Sequence, residues 1–229
     1  VERFCMYNSI DMLFVGPEQP LSKGIVNHFR AKGLQVFGPD KKAAQLEASK
    51  VFAKLFMKKY GVATADFDYF HNVNDAKFYA AQKTGNCVIK YDGLAAGKGV
   101  FVCSSLDEAN QAFHDISEQY GSYSKVLVED KIQGDELSII GFTDGQNIKL
   151  LHASQDHKQL LEGDKGPNTG GMGAYSPIPG LKDELMKKIM SKIIQPTLKG
   201  IQTEGMDYKG VIYFGIMVKE EEPYLLEYN

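Results

Sequence analysis

The chain has 229 residues, a net charge of −3, 43% hydrophobic and 24% charged residues, the balance of a globular chain able to bury a core. That excludes a mainly disordered chain, a collagen and a disulfide-dense scaffold. With only Arg3 and Arg30 beside the lysines in a cation total of 26, neither nucleic acid nor an anionic membrane is an expected partner. Cys5, Cys87 and Cys103 have no CxxC spacing, so reduced thiols in the cytoplasm are expected, with Cys87 and Cys103 as small core residues. No apolar run approaches the roughly 18 residues of a membrane span. The opening VERFCMYNSIDM has no apolar centre of a signal peptide.

Ile10–Gly16 reads as a buried strand entering a loop at Gly16-Pro17. Leu21, Ile25, Val26 and Phe29 recur at helical spacing up to Gly33, and Val36-Phe37 is a second strand closed by Gly38-Pro39. Strand, helix and strand make a βαβ unit and hence a parallel sheet, expected to be the end of a Rossmann-like domain. Lys41 to Tyr60 reads as two helices meeting near Ser49. Strand Phe67–Phe70, a helix at about Asn74–Thr84, strand Cys87–Lys90, a glycine-rich loop, strand Val100–Cys103 and a helix opened by Ser105-Leu106-Asp107-Glu108 follow. Together they form a compact α+β insertion. Strands come next at Lys125–Glu129, Glu136–Thr143 and Asn147–Leu151, the last two joined through Asp144-Gly145. Residues 152–180, polar and rich in Gly and Pro, are expected to form a long irregular loop. Leu181, Leu185, Ile189 and Ile193 mark a long helix kinked near Pro196. Strands Tyr208–Val218 and Tyr224–Asn229 end the chain.

Four constellations carry chemistry. Lys90-Tyr91-Asp92-Gly93-Leu94-Ala95-Ala96-Gly97-Lys98-Gly99-Val100 is not a Walker A loop: one residue too few separates Gly93 from Gly97, and Gly99 stands where Ser or Thr should hold Mg²⁺. It reads as a flexible strand–loop–strand whose glycines admit an anion and whose lysines, Lys90 and Lys98, neutralise a polyphosphate. The plainer alternative is an exposed hairpin with solvated lysines. Val126 to Ile132, followed by Glu136, is an apolar strand ending in charges, suited to a flat base with Glu136 toward ribose hydroxyls, or simply a strand running into solvent. Glu227 and Asn229, at i and i+2 of a strand, share a face and offer hard oxygen donors for Mg²⁺, or form an ordinary polar face. Finally, Ser154–Lys158 with Gly166–Tyr175 is dense in small and hydrogen-bonding residues, and its Gly-Gly run can present backbone N–H groups to an anion. His157 has no Ser or Cys partner that would make a triad.

In this order, VGPEQPL, FGPDKKAAQLEASKVFAK, VIKYDGLAAGKGV, SQDHK, GPNTGGMGAYSP and LLEYN resemble the phosphoribosylamine–glycine ligase family of ATP-grasp enzymes over essentially the whole chain. The resemblance implies an α/β fold: an ATP-grasp domain at 48–229 with a lid subdomain at about 62–124, preceded by the end of a Rossmann-like domain at 1–47. It implies ATP as cosubstrate, Mg²⁺ or Mn²⁺, glycine and 5-phosphoribosylamine as substrates, and a monomer. It matches Lys54 and Lys90 to the nucleotide phosphates, Gly93, Gly97, Lys98 and Gly99 to a mobile flap, Glu129, Lys131 and Ile132 to the adenine side, and Glu136 to the ribose. Glu227 and Asn229 match metal ligands. Gly16, Pro17 and Glu18 match the phosphoribosylamine side; Asp156, Asn168, Thr169, Gly170, Gly171 and Met172 match the region facing glycine and the amine. The family's glycine-rich motif near its N-terminus, the RxGDPE segment after the final ExN and the C-terminal domain are not in this sequence, so the chain is expected to be the central half of the enzyme. Gln159 follows SQDHK where the family usually has Arg. Other ATP-grasp carboxylate–amine ligases and a nucleotide-binding module without catalysis are the alternatives.

Overall fold

The computed structural model describes residues 1–95, 98–163 and 165–229, without the side chains of 158, 159, 165, 167, 168 and 170. A short helix α1 (Glu2–Tyr7) precedes strand β1 (Met12–Phe14). The helical pattern after it resolves into two helices, α2 (Glu18–Ser22) and α3 (Ile25–Arg30), because Gly24 between them adopts a left-handed φ of 88°. Strand β2 (Gln35–Pro39) pairs parallel with β1, as the βαβ reading requires. Val15, Leu21, Val26, Phe29 and Val36 form the small core of this piece. Helices α4 (Gln45–Ala48) and α5 (Lys50–Tyr60) meet at Ser49. The Ser49 hydroxyl caps α5 by accepting from the Phe52 amide at 3.1 Å.

The lid is a four-stranded antiparallel sheet with two helices on it. Strands β3 (Phe67–Phe70), β4 (Cys87–Tyr91), β5 (Val100–Val102) and β6 (Val126–Asp130) run in the order β3-β6-β4-β5. Helices α6 (Val73–Gln82) and α7 (Leu106–Tyr120) start at the caps Asn72 and Ser105. They bury Ala76, Ala80, Phe113 and Ile116 against Ile89, Val126 and Val128. Strand β6 is therefore an inner strand of this sheet, not one that follows the inserted unit; its alternation is masked because both faces are covered.

The main sheet adds β7 (Asp135–Thr143), β8 (Ile148–Leu150), β11 (Tyr208–Lys219) and β12 (Glu222–Tyr228) to the first two strands, in the order β1-β2-β11-β7-β8 with β12 also on β11. Strands β2 and β12 take successive stretches of one edge of β11, at Tyr208–Lys209 and from Phe214 onward, while β7 covers the other edge. Between β8 and the last helices, the stretch expected to be an irregular loop is instead an antiparallel hairpin, β9 (Gln155–Leu161) and β10 (Lys165–Tyr175). Its register shifts at two points and its glycines remove any apolar alternation, so no period of two marks it in the sequence.

The C-terminal helical stretch runs α8 (Asp183–Ile189), a π-helical turn (Met190–Ile194) and α9 (Gln195–Thr203). The irregularity thus lies just ahead of Pro196, which has no N–H for the carbonyl one turn back. That carbonyl, on Lys192, accepts instead from the Ala63 amide at 3.0 Å, tying the entry of the lid to the helix layer. The main core joins Phe56, Met57, Ile139, Ile193, Ile201, Phe214 and Leu225 between helices and sheet. No helix among the described residues is long and apolar enough to cross a membrane.

Candidate functional site

Helix α5 projects Lys54 and the lid projects Lys90 (β4) and Glu129 (β6) to one point. Lys54 Nζ and Lys90 Nζ each lie 2.5 Å from a Glu129 carboxylate oxygen, and all three residues are under 5% exposed. Lys54 Nζ also donates to Thr64 Oγ1 at 2.6 Å, and Lys90 Nζ donates to the Leu226 carbonyl of β12 at 3.2 Å. Burial pulls Lys54 down to about 8, with Glu129 opposing the fall. Burial pushes Glu129 up, but the charges of Lys90 and Lys54 outweigh it and hold the carboxyl below its ordinary range. Two ammonium groups facing one carboxylate leave a net positive charge, which suits an anion at the mouth of the cleft.

The cleft in front of these residues is lined by Leu46, Glu47, Lys50, Leu127, Leu226, Glu227 and Asn229. Tyr228 turns into the core against Phe56 and Phe214, which leaves Glu227 and Asn229 on the opposite face of β12, as their i, i+2 spacing requires. A second cleft opens where β2 gives way to β12, lined by Gly16, Phe37, Gly38, Val211 and Tyr213. Glu47 and Asn229 belong to both clefts. The Glu47 carboxyl is raised to about 7, first by burial and then by the charges of Glu18 and Glu227. Glu227, Asn229 and Glu47 line one cleft and offer carboxylate and amide oxygens, the donor type that a hard divalent cation takes. No cluster of three or more His, Cys, Asp or Glu with metal-ligand geometry exists among the described residues.

The remaining sequence-derived residues are placed as follows. Gly93 and Gly99 pack on Tyr91: a Cβ at Gly93 would lie 2.7 Å from the Tyr91 ring. Lys98 is exposed, and Gly97 lies outside the described residues. Lys131 donates to Ser104 Oγ at 2.7 Å on the lid. Ile132 follows it at the exit of the lid, and Glu136 stands opposite Met217 in the main sheet. Pro17 is the N-cap of α2 and offers no side-chain hydrogen bond there, and Glu18 is the first residue of the helix. Asp156, Thr169, Gly171 and Met172 lie on the β9–β10 hairpin. There Asp156 packs over Gly171, whose Cβ would lie 3.0 Å from Asp156 Oδ1. Asn168 and Gly170 are described only by their place in β10. These hairpin residues are not among those lining the two clefts.

Two residues lining the cleft escape the sequence reading: Glu47 and Lys50. Lys50 has a signal, since it stands one helical turn before Lys54 and so on the same face of α5. Its pKa is lowered by burial in the cleft, opposed by the charge of Glu227. Glu47 sits in a helix of four residues, too short for a periodicity that would assign its face.

Comparison with known proteins gives this cleft a family. The chain matches the models for the phosphoribosylglycinamide synthetase N domain at residues 1–47 and the ATP-grasp (A) domain at residues 48–229. It is 49% identical to a phosphoribosylamine–glycine ligase of Clostridium acetobutylicum, over 99% of this chain and 55% of that protein. It is 44% identical to the enzyme of that name from Escherichia coli K12, over 99% of this chain and 54% of that protein. The crystal structure of phosphoribosylamine–glycine ligase from Thermotoga maritima superposes with a TM-score of 0.77 at 39% identity, covering 85% of this chain and 50% of that one. A biotin carboxylase from Campylobacter jejuni, at 18% identity, shares the fold with a TM-score of 0.79, over 100% of this chain and 50% of that one. The chain thus spans about half the length of the curated relatives it matches. With family models covering it from end to end and an ATP-grasp fold around the Lys54–Glu129–Lys90 cleft, the chain belongs to the phosphoribosylglycinamide synthetase family.

Proposed function

We propose that the chain provides the nucleotide site and much of the acceptor site of an ATP-dependent ligase that joins glycine to 5-phosphoribosylamine, giving glycinamide ribonucleotide, ADP and phosphate. The observation that carries this reading is the buried group Lys54, Glu129 and Lys90, positively charged in sum and open to a cleft that ends in Glu227 and Asn229. Names of the relatives supply the substrates. In this reading residues 48–229 are the ATP-grasp domain, residues 1–47 are the end of a Rossmann-like domain, and the enzyme is cytoplasmic and monomeric.

The chemistry follows from the charges. Lys54 and Lys90 take the nucleotide phosphates, and Lys98 adds its charge from the flap. Glu129, ion-paired with both lysines, stands on the adenine side with Lys131 and Ile132, and Glu136 takes the ribose. Mg²⁺ or Mn²⁺ at Glu227 and Asn229 would neutralise phosphate charge as the γ-phosphoryl group moves. A glycine carboxylate oxygen attacks the γ-phosphorus and ADP leaves, forming an acyl phosphate. The amine nitrogen of phosphoribosylamine then attacks the acyl carbon; phosphate leaves and the nitrogen gives up a proton. No covalent enzyme nucleophile is required, and the residues act by alignment and charge neutralisation. Gly16, which lines the second cleft, takes the acceptor together with its neighbours Pro17 and Glu18, and Asp156 with Asn168 to Met172 are assigned to glycine and the amine by their family motif.

Calorimetric titration with ATP and MgCl₂ tests the site, and ADP release dependent on both glycine and phosphoribosylamine tests the reaction. Absence of nucleotide binding removes the reading. Binding without turnover supports the second one, a nucleotide-binding segment that is not active alone; the half-length coverage of the relatives favours keeping it.

A further inference from the structure

Asp92 is the first residue after lid strand β4, and its backbone belongs to the lid: its amide donates to the Lys125 carbonyl at 3.0 Å. Its side chain crosses to the core. Asp92 Oδ1 accepts from Ser49 Oγ at 2.8 Å and from the Val51 amide at 3.1 Å. Ser49 has one hydroxyl proton. Giving it to Asp92 leaves the oxygen lone pairs for the Phe52 amide, so Asp92 also fixes the rotor of the cap on α5. The Val51 amide is one of the first-turn donors that a helix cannot satisfy internally. Lys50, between Ser49 and Val51, donates to the Gly93 carbonyl at 2.9 Å. Two consecutive residues at the root of the glycine-rich loop are therefore bonded to three consecutive residues at the start of α5.

We propose that Asp92 is a positioning residue: it caps the core helix α5 from the lid and so holds the root of the glycine-rich loop over the nucleotide cleft. The geometry gives the reason. The Asp92 latch at the start of α5 adds to the Lys54–Glu129–Lys90 group inside and to the Phe67 ring beside Lys54 and Lys58 further along the helix. Each attachment along the helix restricts how far the lid can turn before the nucleotide arrives. Preorganisation of this kind lowers the ordering cost of binding. The proposal rests on the nucleotide-site reading above and adds to it a residue that touches no substrate.

The test compares Asp92→Ala, Asp92→Asn and Ser49→Ala with the parent protein, with and without ATP. Three quantities are read: hydrogen exchange at the Val51 amide, tryptic cleavage after the exposed Lys98 followed by mass spectrometry, and the Kd for ATP. Asp92→Ala is expected to speed exchange and cleavage in the nucleotide-free protein and to raise Kd, each by about tenfold. Asp92→Asn keeps an oxygen that accepts both donors and is expected within about twofold of the parent. Ser49→Ala, which keeps the Val51 bond, is expected to move all three in the same direction by less, and it serves if Asp92→Ala does not fold. A lowered melting temperature with unchanged Lys98 cleavage and ATP affinity would overturn the proposal, leaving Asp92 an ordinary helix cap. If the parent protein itself does not bind ATP, the nucleotide reading fails, while exchange and cleavage without nucleotide still judge the latch.

Discussion

Lys54 of the core helix α5 and Glu129 of the lid strand β6 meet at 2.5 Å with both side chains 2% exposed, so one ion pair is also a joint between two parts of the molecule. The pair cannot be treated as a pair of surface charges, since both partners are desolvated. Removing Glu129 strands two buried ammonium groups. Glu129→Ala is expected to cost about 3–5 kcal/mol of stability, measured by urea unfolding. A loss below about 1 kcal/mol, the range of exposed pairs, would show that the group is solvated in solution.

Glu47 supplies a pH dependence. Its folded pKa of about 7 lies above the ordinary carboxyl value of 4.5, so the native state holds the proton more tightly than the unfolded chain. The stability contribution is fully present below pH 4.5 and is lost as pH rises through 7. Glu47→Gln should therefore flatten the melting temperature between those limits. At pH 8, without divalent cations, it should stabilise the protein by on the order of 1 kcal/mol after allowance for solvent screening. An unchanged pH profile would place the Glu47 charge elsewhere.

Glu227 and Asn229 are testable through the cation. If the proposed ligase reaction runs at this cleft, Glu227→Ala should cut turnover by roughly a hundredfold, the scale of about 3 kcal/mol of lost charge stabilisation in the transition state. Direct titration of Mn²⁺ in the presence of ATP, followed by electron paramagnetic resonance, should show weakened binding in the same variant. Unchanged turnover at saturating Mg²⁺ removes the metal role.

The Gly16 loop separates recognition from folding. A Cβ built at Gly16 meets nothing within 4 Å, so Gly16→Ala should leave the melting temperature unchanged, and any kinetic effect reports on a ligand in the second cleft. Glu18 is the acidic residue in the first turn of α2. Glu18→Gln is expected to raise the KM for phosphoribosylamine by about tenfold, or about 1.4 kcal/mol, with the KM for ATP unaltered. A variant with normal acceptor KM but reduced stability would return Glu18 to a purely helical role.

Gly200 on α9 is a packing position. A Cβ there would lie 2.4 Å from Phe56 Cζ and 2.7 Å from the Tyr60 ring, both on α5. Gly200→Ala is expected to destabilise by about 1–3 kcal/mol through overpacking, despite the better helix propensity of alanine. A stabilised variant in thermal melts would mean that the two helices separate without cost.

Motif and periodicity carried much of this protein. The βαβ unit follows from two short apolar runs around a helical stripe, Ser49 from its place between two helical patterns, and the shared face of Glu227 and Asn229 from the period of a strand. Lys90 was marked by the glycine-rich loop that follows it and Lys54 only by a family motif, because nothing local distinguishes a lysine that will be buried from a solvated one. Tertiary structure alone decided that Glu129 lies between them: three residues from α5, β4 and β6 converge only once the lid sheet closes on the core. It also decided that Gln155–Leu161 and Lys165–Tyr175 pair as a hairpin, because backbone pairing onto a glycine-rich strand needs no side-chain pattern. Glu47 and Asp92 became visible last. Their roles depend on which charges and helix ends face them across elements distant in sequence, and a one-dimensional pattern holds no record of burial or of a neighbour's field.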